Sequence, residues 1–371
     1  MELEELRTEI RKRDEEIIRL IAERTELAKQ VGEYKRDHSL PVRNADVEKK
    51  VIARYIEIGS SYGLSEEVLR SISKALIKEA VDAESNLPKP MVSKKVGIIG
   101  GAGKMGAWTA DLLRKSGHDV IIIDPAEDNG HTIEDCKGCD IVIISVPIHL
   151  TYSILTKLDS ICSCDTLIFD LTSLKTPLVG RLRTMGETKK VCSVHPMFGP
   201  SATSMYGRNL IVCNCGNRQA VEETVNLFDD RGGNIRVMEI EKHDEYMSYV
   251  LGLTHAVNIA LFTVLERSGF TFDDLLTVSS TTFNKGLDTN MSVASEDPML
   301  YYEIQHLNAY RDEMWDLFSQ TVDELKKNSL SDDPEGFVSM MNAGRKYFER
   351  RRGIINNNED TVVSRYQHDV W

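Results

Sequence analysis

The chain has 371 residues, a length that allows two or three domains. Hydrophobic residues make up 41% and charged residues 28%, the balance of a soluble globular protein, and the formal net charge of −13 argues against the broad basic face of a nucleic-acid binder. An anionic ligand would therefore need a local cluster of Arg and Lys.

The N-terminal MELEELRTEIRKRDEE lacks the apolar centre of a secretory signal, and no run of about 18 apolar residues occurs, so no membrane span is expected. The seven cysteines include one CxxC, Cys136 and Cys139, and two pairs separated by one residue, Cys162/Cys164 and Cys213/Cys215. Such spacing is weak for zinc, and a chain of this length does not need disulfides. Reduced thiols, a cytoplasmic home and no metal are expected.

Residues 1–88 read as a helical domain. Leu3, Leu6, Ile10, Ile17, Leu20, Ile21, Leu27, Ala28 and Val31 recur at steps that favour one amphipathic face, in a helix from Glu2 to Asp37. At 1.5 Å per residue it would be roughly 50 Å long, more than a domain of this size can cover, so it asks for a second subunit. Ala45–Ile58 and Ser65–Ala83 read as two further helices, with Ser65 as an N-cap. Residues 89–94 form a polar, Pro-containing linker.

From residue 95 to 242 short apolar runs alternate with helical patterns, the grammar of a parallel, doubly wound α/β sheet. Strands are expected at Lys95–Gly100, Val120–Asp124, Ile141–Val146 and Thr166–Leu171, with a fifth before His195. Gly101, Gly103 and Gly106 form GxGxxG between the first strand and the helix Ala107–Ser116. Glycines there let the backbone approach a pyrophosphate at a helix N-terminus. Asp124, 18 residues on, is placed for the ribose hydroxyls and would repel a 2′-phosphate, which favours NAD over NADP. The candidate cofactor residues are Gly101, Ala102, Gly103, Lys104, Met105, Gly106 and Asp124, with Ser145, Val146 and Pro147 after the third strand.

His195, in VHPMFGP (194–200), is expected in a loop at a strand–helix junction, where open α/β sheets bind ligands. An unperturbed imidazole pKa near 6.5 suits it to take a proton from an alcohol during hydride transfer. Lys175, after the preceding strand, could offer a positive charge to the same crevice. Residues 243–371 read as helical, at Tyr246–Leu265, Phe272–Val278, Met299–Lys326 and Pro334–Arg351.

At SVPIHLT (145–151), DLTSLK (170–175), VHPMFGP, KHDEYMSYVLGLTH (242–255) and DPMLYYEIQ (297–305) the chain resembles the prephenate dehydrogenase family. Leu6-Arg7, Asp14, Ala22-Glu23-Arg24, Leu27-Ala28, Val31-Gly32, Lys35 and Pro41-Val42 resemble the helical type of chorismate mutase. A mutase placed before this dehydrogenase is similar to the bifunctional T-protein family of tyrosine biosynthesis. The resemblance implies a helical mutase domain, a Rossmann-type NAD domain and a helical C-terminal dimerisation domain. It implies chorismate and prephenate as substrates, a homodimer, and tyrosine feedback that no residue here displays. It implies His195 as the base, Ser173 orienting the substrate hydroxyl, and Lys175 and His255 holding prephenate. In the mutase it implies Arg7, Arg24, Lys35, Glu48 and Glu84 as catalytic, with Asn44 in contact with the substrate.

Arg24 and Lys35 are 11 residues apart, about 20° from alignment, and share a helix face. Arg7 lies about 100° off that face and some 25 Å away, and the resemblance implies that it reaches the partner subunit's site. The chain departs from the family pattern at Asn44, Val47 and Ala80, which leaves a degenerate mutase domain as an alternative. Ser292 replaces an arginine that pairs with prephenate's ring carboxylate in relatives. Lys285 or Arg311 could substitute for it, or the dehydrogenase could act on arogenate or 4-amino-4-deoxyprephenate. An unrelated NAD-linked hydroxyacid dehydrogenase would leave residues 1–88 unexplained.

Overall fold

The computed structural model describes residues 2–358 apart from 39, 86, 88–91 and 230. Residues 89–91 of the expected linker and the end of the C-terminal domain, 359–371, lie outside the described residues.

Three helices open the chain: α1 (Leu3–Asp37), α2 (Ala45–Ser61) and α3 (Glu66–Ser85). A capping box between Glu2 and Glu5 starts α1, and Lys35 and Arg36 in its last turn oppose the negative end of the helix dipole. α1 and α2 both pack on α3, which buries Leu69, Leu76, Ile77, Ala80 and Val81. Much of the apolar face of α1 remains uncovered: Leu3, Leu6, Ile10, Ile17, Leu20, Leu27 and Val31 are all exposed.

The middle of the chain runs β1 (Lys95–Ile99), α4 (Lys104–Lys115), β2 (Asp119–Ile123), β3 (Ile141–Ile144), α5 (Ile148–Ile161), β4 (Leu167–Asp170), α6 (Val179–Gly186), β5 (Val191–Pro196), β6 (Asn209–Asn214), α7 (Arg218–Phe228) and β7 (Asn234–Glu239). The strands form one sheet in the order β2-β1-β3-β4-β5-β6-β7. Strands β1 to β5 are parallel, as alternating strands and helices require. The central strands β3 and β4 are buried on both faces, which is why they read as unbroken apolar runs. β6 pairs antiparallel with β5, in register from Cys192↔Asn214 to Pro196↔Leu210, and β7 runs parallel to β6. The wholly parallel sheet expected from the sequence is corrected on this side. A strand, not a helix, follows β5, so His195 ends a strand at a strand–loop–strand junction.

The C-terminal part contains α8 (Ile240–Met247), a π-helical turn (Ser248–Leu253), α9 (Thr254–Arg267), α10 (Phe272–Thr277), α11 (Thr281–Ala294), α12 (Pro298–His306), α13 (Arg311–Ser329) and α14 (Glu335–Asn358). The single helix expected over Met299–Lys326 is two. At the break, the Asn308 side chain donates to the Asp244 carbonyl and accepts from Tyr310 N, taking the place of helical bonds. α11 was not expected at all. Among the described residues one stretch, Ile240–Arg267, is long and apolar enough by length and composition to cross a membrane. It carries the buried polar residues His243 and Asp244, bonded to each other, and His255, packed against the Tyr301 ring.

Candidate active sites

The turn from β1 into α4 hugs the end of β3. Gly100 has φ +78°, and a Cβ there would sit 2.2 Å from the Ser145 carbonyl oxygen. At Gly106 a Cβ would sit 2.3 Å from the Gly100 oxygen. The left-handed glycine is thus one residue ahead of the GxGxxG triplet. Gly103 is the N-cap of α4, and Ala102, Gly103 and Lys104 are exposed at that helix's positive end. Asp124, at the end of β2, accepts from Ala102 N at 3.1 Å and Ala126 N at 2.9 Å, so its carboxylate borders the loop. A backbone cradle that a Cβ would fill, a helix N-terminus and an acid beyond the second strand fit a dinucleotide's pyrophosphate and ribose. Ser145, Val146 and Pro147 follow β3 on the same side.

His195 is buried at the end of β5, and its Nδ1 lies 2.9 Å from His243 Nε2. His243, buried on α8, places Nδ1 2.6 Å from Asp244 Oδ1. The Asp244 carboxylate also accepts from Lys175 N, Thr176 N and the Thr176 hydroxyl. These bonds set the tautomers. A carboxylate can only accept, so His243 carries its proton on Nδ1 and accepts on Nε2. His195 then donates from Nδ1, which leaves Nε2 as its basic nitrogen. Burial, helped by the positive charge available to His243 and Lys175, holds the His195 pKa well below the ordinary imidazole value. His195 is therefore neutral at physiological pH, as a base must be. His243 is also lowered, by burial against the opposing pull of Asp244. Burial alone would raise Asp244, but the bonds from His243 and Thr176 outweigh it and keep the carboxyl below its usual range.

Lys175 requires a correction. It is fully buried, and Nζ donates to Asp170 Oδ1 at 2.9 Å, the Thr172 carbonyl at 2.8 Å and the Val194 carbonyl at 2.9 Å. An ammonium has three protons, and these partners consume them. Lys175 thus braces the backbone beneath His195 and has nothing left for a substrate.

Ser173 lies half-buried on the turn between Thr172 and Leu174. His255, one residue into α9 beyond the π-turn, is buried against the Tyr301 ring at a centroid distance of 4.0 Å. Its Nδ1 is buried with no partner among the described residues, and burial lowers its pKa to about 4. A neutral imidazole can meet a hydroxyl or carboxylate only as a hydrogen-bond partner. His149, beside the cofactor loop, reaches Glu303 of α12 at 2.5 Å and ties the two domains across the cleft. Lys285 and Ser292 are exposed on α11, and Arg311 bonds the His306 carbonyl and Asp312. No described contact brings any of the three to His195.

In the helical domain, Lys35 Nζ donates to Glu84 Oε2 and to the Val42 carbonyl, each at 2.7 Å. Burial raises the Glu84 pKa despite Lys35 beside it. Arg24, on the same face of α1, donates to the Leu76 carbonyl of α3 at 2.8 Å. Glu48 is half-buried and gripped by Arg43, with Nε to Oε1 at 2.9 Å. Arg7 is exposed and paired only with Glu4 among the described residues, remote from this cluster as the helix geometry requires. Asn44 is the N-cap of α2: its side-chain oxygen accepts from Asp46 N and Val47 N, which leaves the amide Nδ2 as its group for a ligand.

Sequence reasoning missed His243, Asp244 and Asp170. All three stand in quoted motifs, yet adjacent residues on a helix give no sign that one will orient a histidine 48 positions away. The seven cysteines are free thiols, and six are buried. Burial pushes the Cys136 and Cys192 thiols up to about 12, so they stay protonated packing groups.

The glycine cradle and the oriented base define an NAD-linked dehydrogenase, joined to a helical domain that gathers cations and a buried carboxyl. Family models cover most of the chain: chorismate mutase type II over residues 6–85, the prephenate dehydrogenase nucleotide-binding domain over 110–237, and the prephenate dehydrogenase dimerization domain over 239–343. The chain belongs to the prephenate dehydrogenase family, fused behind a type II chorismate mutase domain. It is 28% identical to the T-protein of Haemophilus influenzae, over 93% of this chain and 92% of that one. It is 27% identical to the T-protein of Enterobacter agglomerans, over 82% and 81%. The fold resembles a prephenate dehydrogenase crystal structure from A. aeolicus, with TM-score 0.55 at 22% identity over 72% of this chain and all of that one.

Replacing Lys175 by Ala leaves Asp170 charged and buried without its partner. Denaturant unfolding should show a loss of about 3–5 kcal/mol. Unchanged stability with a raised KM for prephenate would instead restore a substrate contact.

Proposed function

We propose that the chain rearranges chorismate to prephenate between α1, α3 and the start of α2, and then oxidises and decarboxylates prephenate at His195 to give 4-hydroxyphenylpyruvate. The observation that carries this reading is the chain from His195 through His243 to Asp244, which aims a neutral imidazole's lone pair from the sheet's ligand side.

His195 Nε2 accepts the proton of the ring hydroxyl as hydride leaves the same carbon. Asp244 and His243 stabilise the imidazolium that forms. Bound NAD supplies the hydride acceptor, held by Gly101, Ala102, Gly103, Lys104, Met105 and Gly106, with Asp124 at the ribose. The ring carboxylate leaves as carbon dioxide, and its bonding pair completes the aromatic ring. Ser173 and His255 are the hydroxyl-orienting and substrate-holding candidates. With Lys175 withdrawn and Ser292 in place of an arginine, the ring-carboxylate anchor is proposed to be Lys285, exposed on α11.

In the mutase, no covalent chemistry is needed. The site must hold a dianion in a folded form and stabilise the breaking ether oxygen. Arg24 and Lys35 bring positive charge, and Arg7 would come from the partner subunit. A protonated Glu84 would donate to the ether oxygen. Glu48, an anion, cannot bind the substrate's carboxylates and can only accept from its ring hydroxyl.

The uncovered apolar face of α1, the exposed apolar residues of α9, including Val257, Leu261 and Val264, and the dimerization-domain match support a homodimer. The proposed units are 1–88, 95–242 and 243–371, and the proposed location is the cytoplasm.

Three measurements test this reading. Incubation with chorismate alone should yield prephenate, and addition of NAD should yield 4-hydroxyphenylpyruvate; no prephenate would leave the mutase domain a non-catalytic module. His195→Asn should keep NAD affinity and cut dehydrogenase turnover by about 10²–10⁴, with a loss of less than about fivefold overturning the assignment. Mutase turnover should rise as pH falls from 8 toward 5, because Glu84's raised pKa brings its protonated form in above the ordinary carboxyl range. Glu84→Gln should flatten that profile, and a flat wild-type profile with normal turnover would remove Glu84 from the ether oxygen.

A further inference from the structure

The loop between β5 and β6, residues 197–208, is clamped on two sides. Toward the sheet, Trp108 of α4 donates from Nε1 to the Ala202 carbonyl at 2.7 Å. Toward the mutase domain, Lys78 of α3 donates to the Thr203 hydroxyl at 3.1 Å. A few residues on, the Tyr206 ring lies under the Arg43 guanidinium, 5.1 Å from carbon to centroid, and the Tyr206 hydroxyl donates to Glu48 Oε2 at 3.3 Å. Arg43 continues across the seam to Asn234 Oδ1 at 3.0 Å. The backbones come close here. Gly232 has φ +71°, and a Cβ on it would sit 2.8 Å from Val81 Cγ1 of α3.

We infer that Tyr206, a residue of the dehydrogenase domain, is a positioning residue for the mutase: it completes the chorismate site across the domain seam by fixing Glu48 through Arg43 and its own hydroxyl. The inference rests on the reading of Glu48 as the acceptor for the substrate hydroxyl. Arg43 grips both carboxylate oxygens, Nε to Oε1 at 2.9 Å and Nη2 to Oε2 at the longer 3.3 Å. The ring beneath Arg43 fixes the guanidinium plane, and the Tyr206 hydroxyl adds a second donor at Oε2, the more weakly held oxygen. Burial first, and then Glu48, push the Tyr206 pKa up to about 12, so the hydroxyl stays a donor throughout the working range. Glu48 is half-buried and keeps acceptor capacity on Oε1 beyond its one bond from Arg43. The substrate hydroxyl takes no part in the bond changes, so holding it binds ground and transition states alike and is read in KM. The mutase is then not an independent module on a shared chain. Its affinity for chorismate depends on the loop that follows the dehydrogenase base.

The test uses the full chain and four proteins. Tyr206→Phe keeps the ring under Arg43 and removes the hydroxyl. It should raise KM for chorismate about fivefold, leave mutase kcat within about twofold, and leave dehydrogenase constants on supplied prephenate unchanged. Glu48→Gln should raise KM at least as far, and the double variant should match Glu48→Gln alone, because the tyrosine acts only through the glutamate. Thr203→Val removes another seam contact without touching Glu48 and should leave KM unchanged. A rise in KM for Glu48→Gln with none for Tyr206→Phe overturns the seam role alone. No effect from Glu48→Gln overturns the reading of Glu48, and the inference with it. An equal rise from Thr203→Val would show general docking and overturn positioning.

Discussion

The buried carboxylate of Asp244 is the contact on which the dehydrogenase half depends. It sits at the start of the helical domain yet accepts from Lys175 N, Thr176 N and the Thr176 hydroxyl on the turn after β4, and from His243 beside it. One anion therefore joins the two domains and fixes which nitrogen of His195 is basic. Its burial would be costly without those donors, and one of them, His243, is the group that orients His195. Lys175 repeats the arrangement from below: its ammonium neutralises Asp170 and ties the Val194 carbonyl, so the strand end that presents His195 is braced by charge rather than by packing alone.

The mutase half solves a different electrostatic problem. In the proposed mutase site a dianion needs cations within an acidic chain, and Arg24 and Lys35 lie on one face of α1 against α3. Lys35 also donates to Glu84 and to the Val42 carbonyl. Burial raises the Glu84 pKa against the opposing pull of Lys35, which favours the protonated form that the proposed donation to an ether oxygen needs. The same helix leaves a long apolar face uncovered, the feature that supports the proposed second copy.

The two halves meet at a seam of direct side-chain contacts. The loop after His195 carries Tyr206 to Glu48, and α3 packs Val81 against Gly232 of the dehydrogenase domain. A fusion of two enzymes need not share structure in this way; here an arginine, a tyrosine and a glutamate make the seam polar and specific rather than a flexible tether.

Period and local chemistry were enough to show the long amphipathic α1, the parallel strands β1 to β5, the glycine cradle and the candidate base, because each is written in residues close together in sequence. The antiparallel β6 and β7 were not legible, since strand direction depends on pairing partners and leaves no local pattern. The same limit governs the site. Lys175 carries the right chemistry for a ligand at the right place in its motif, and only tertiary structure shows its ammonium spent on Asp170 and Val194. His243 and Tyr206 gain their roles from neighbours 48 and 158 positions away. Sequence alone determined which chemistries the chain holds, because residue type and spacing fix donors, acceptors and periodicity. Folding decided which of those groups remain available, because burial and long-range hydrogen bonds use up some and orient the rest.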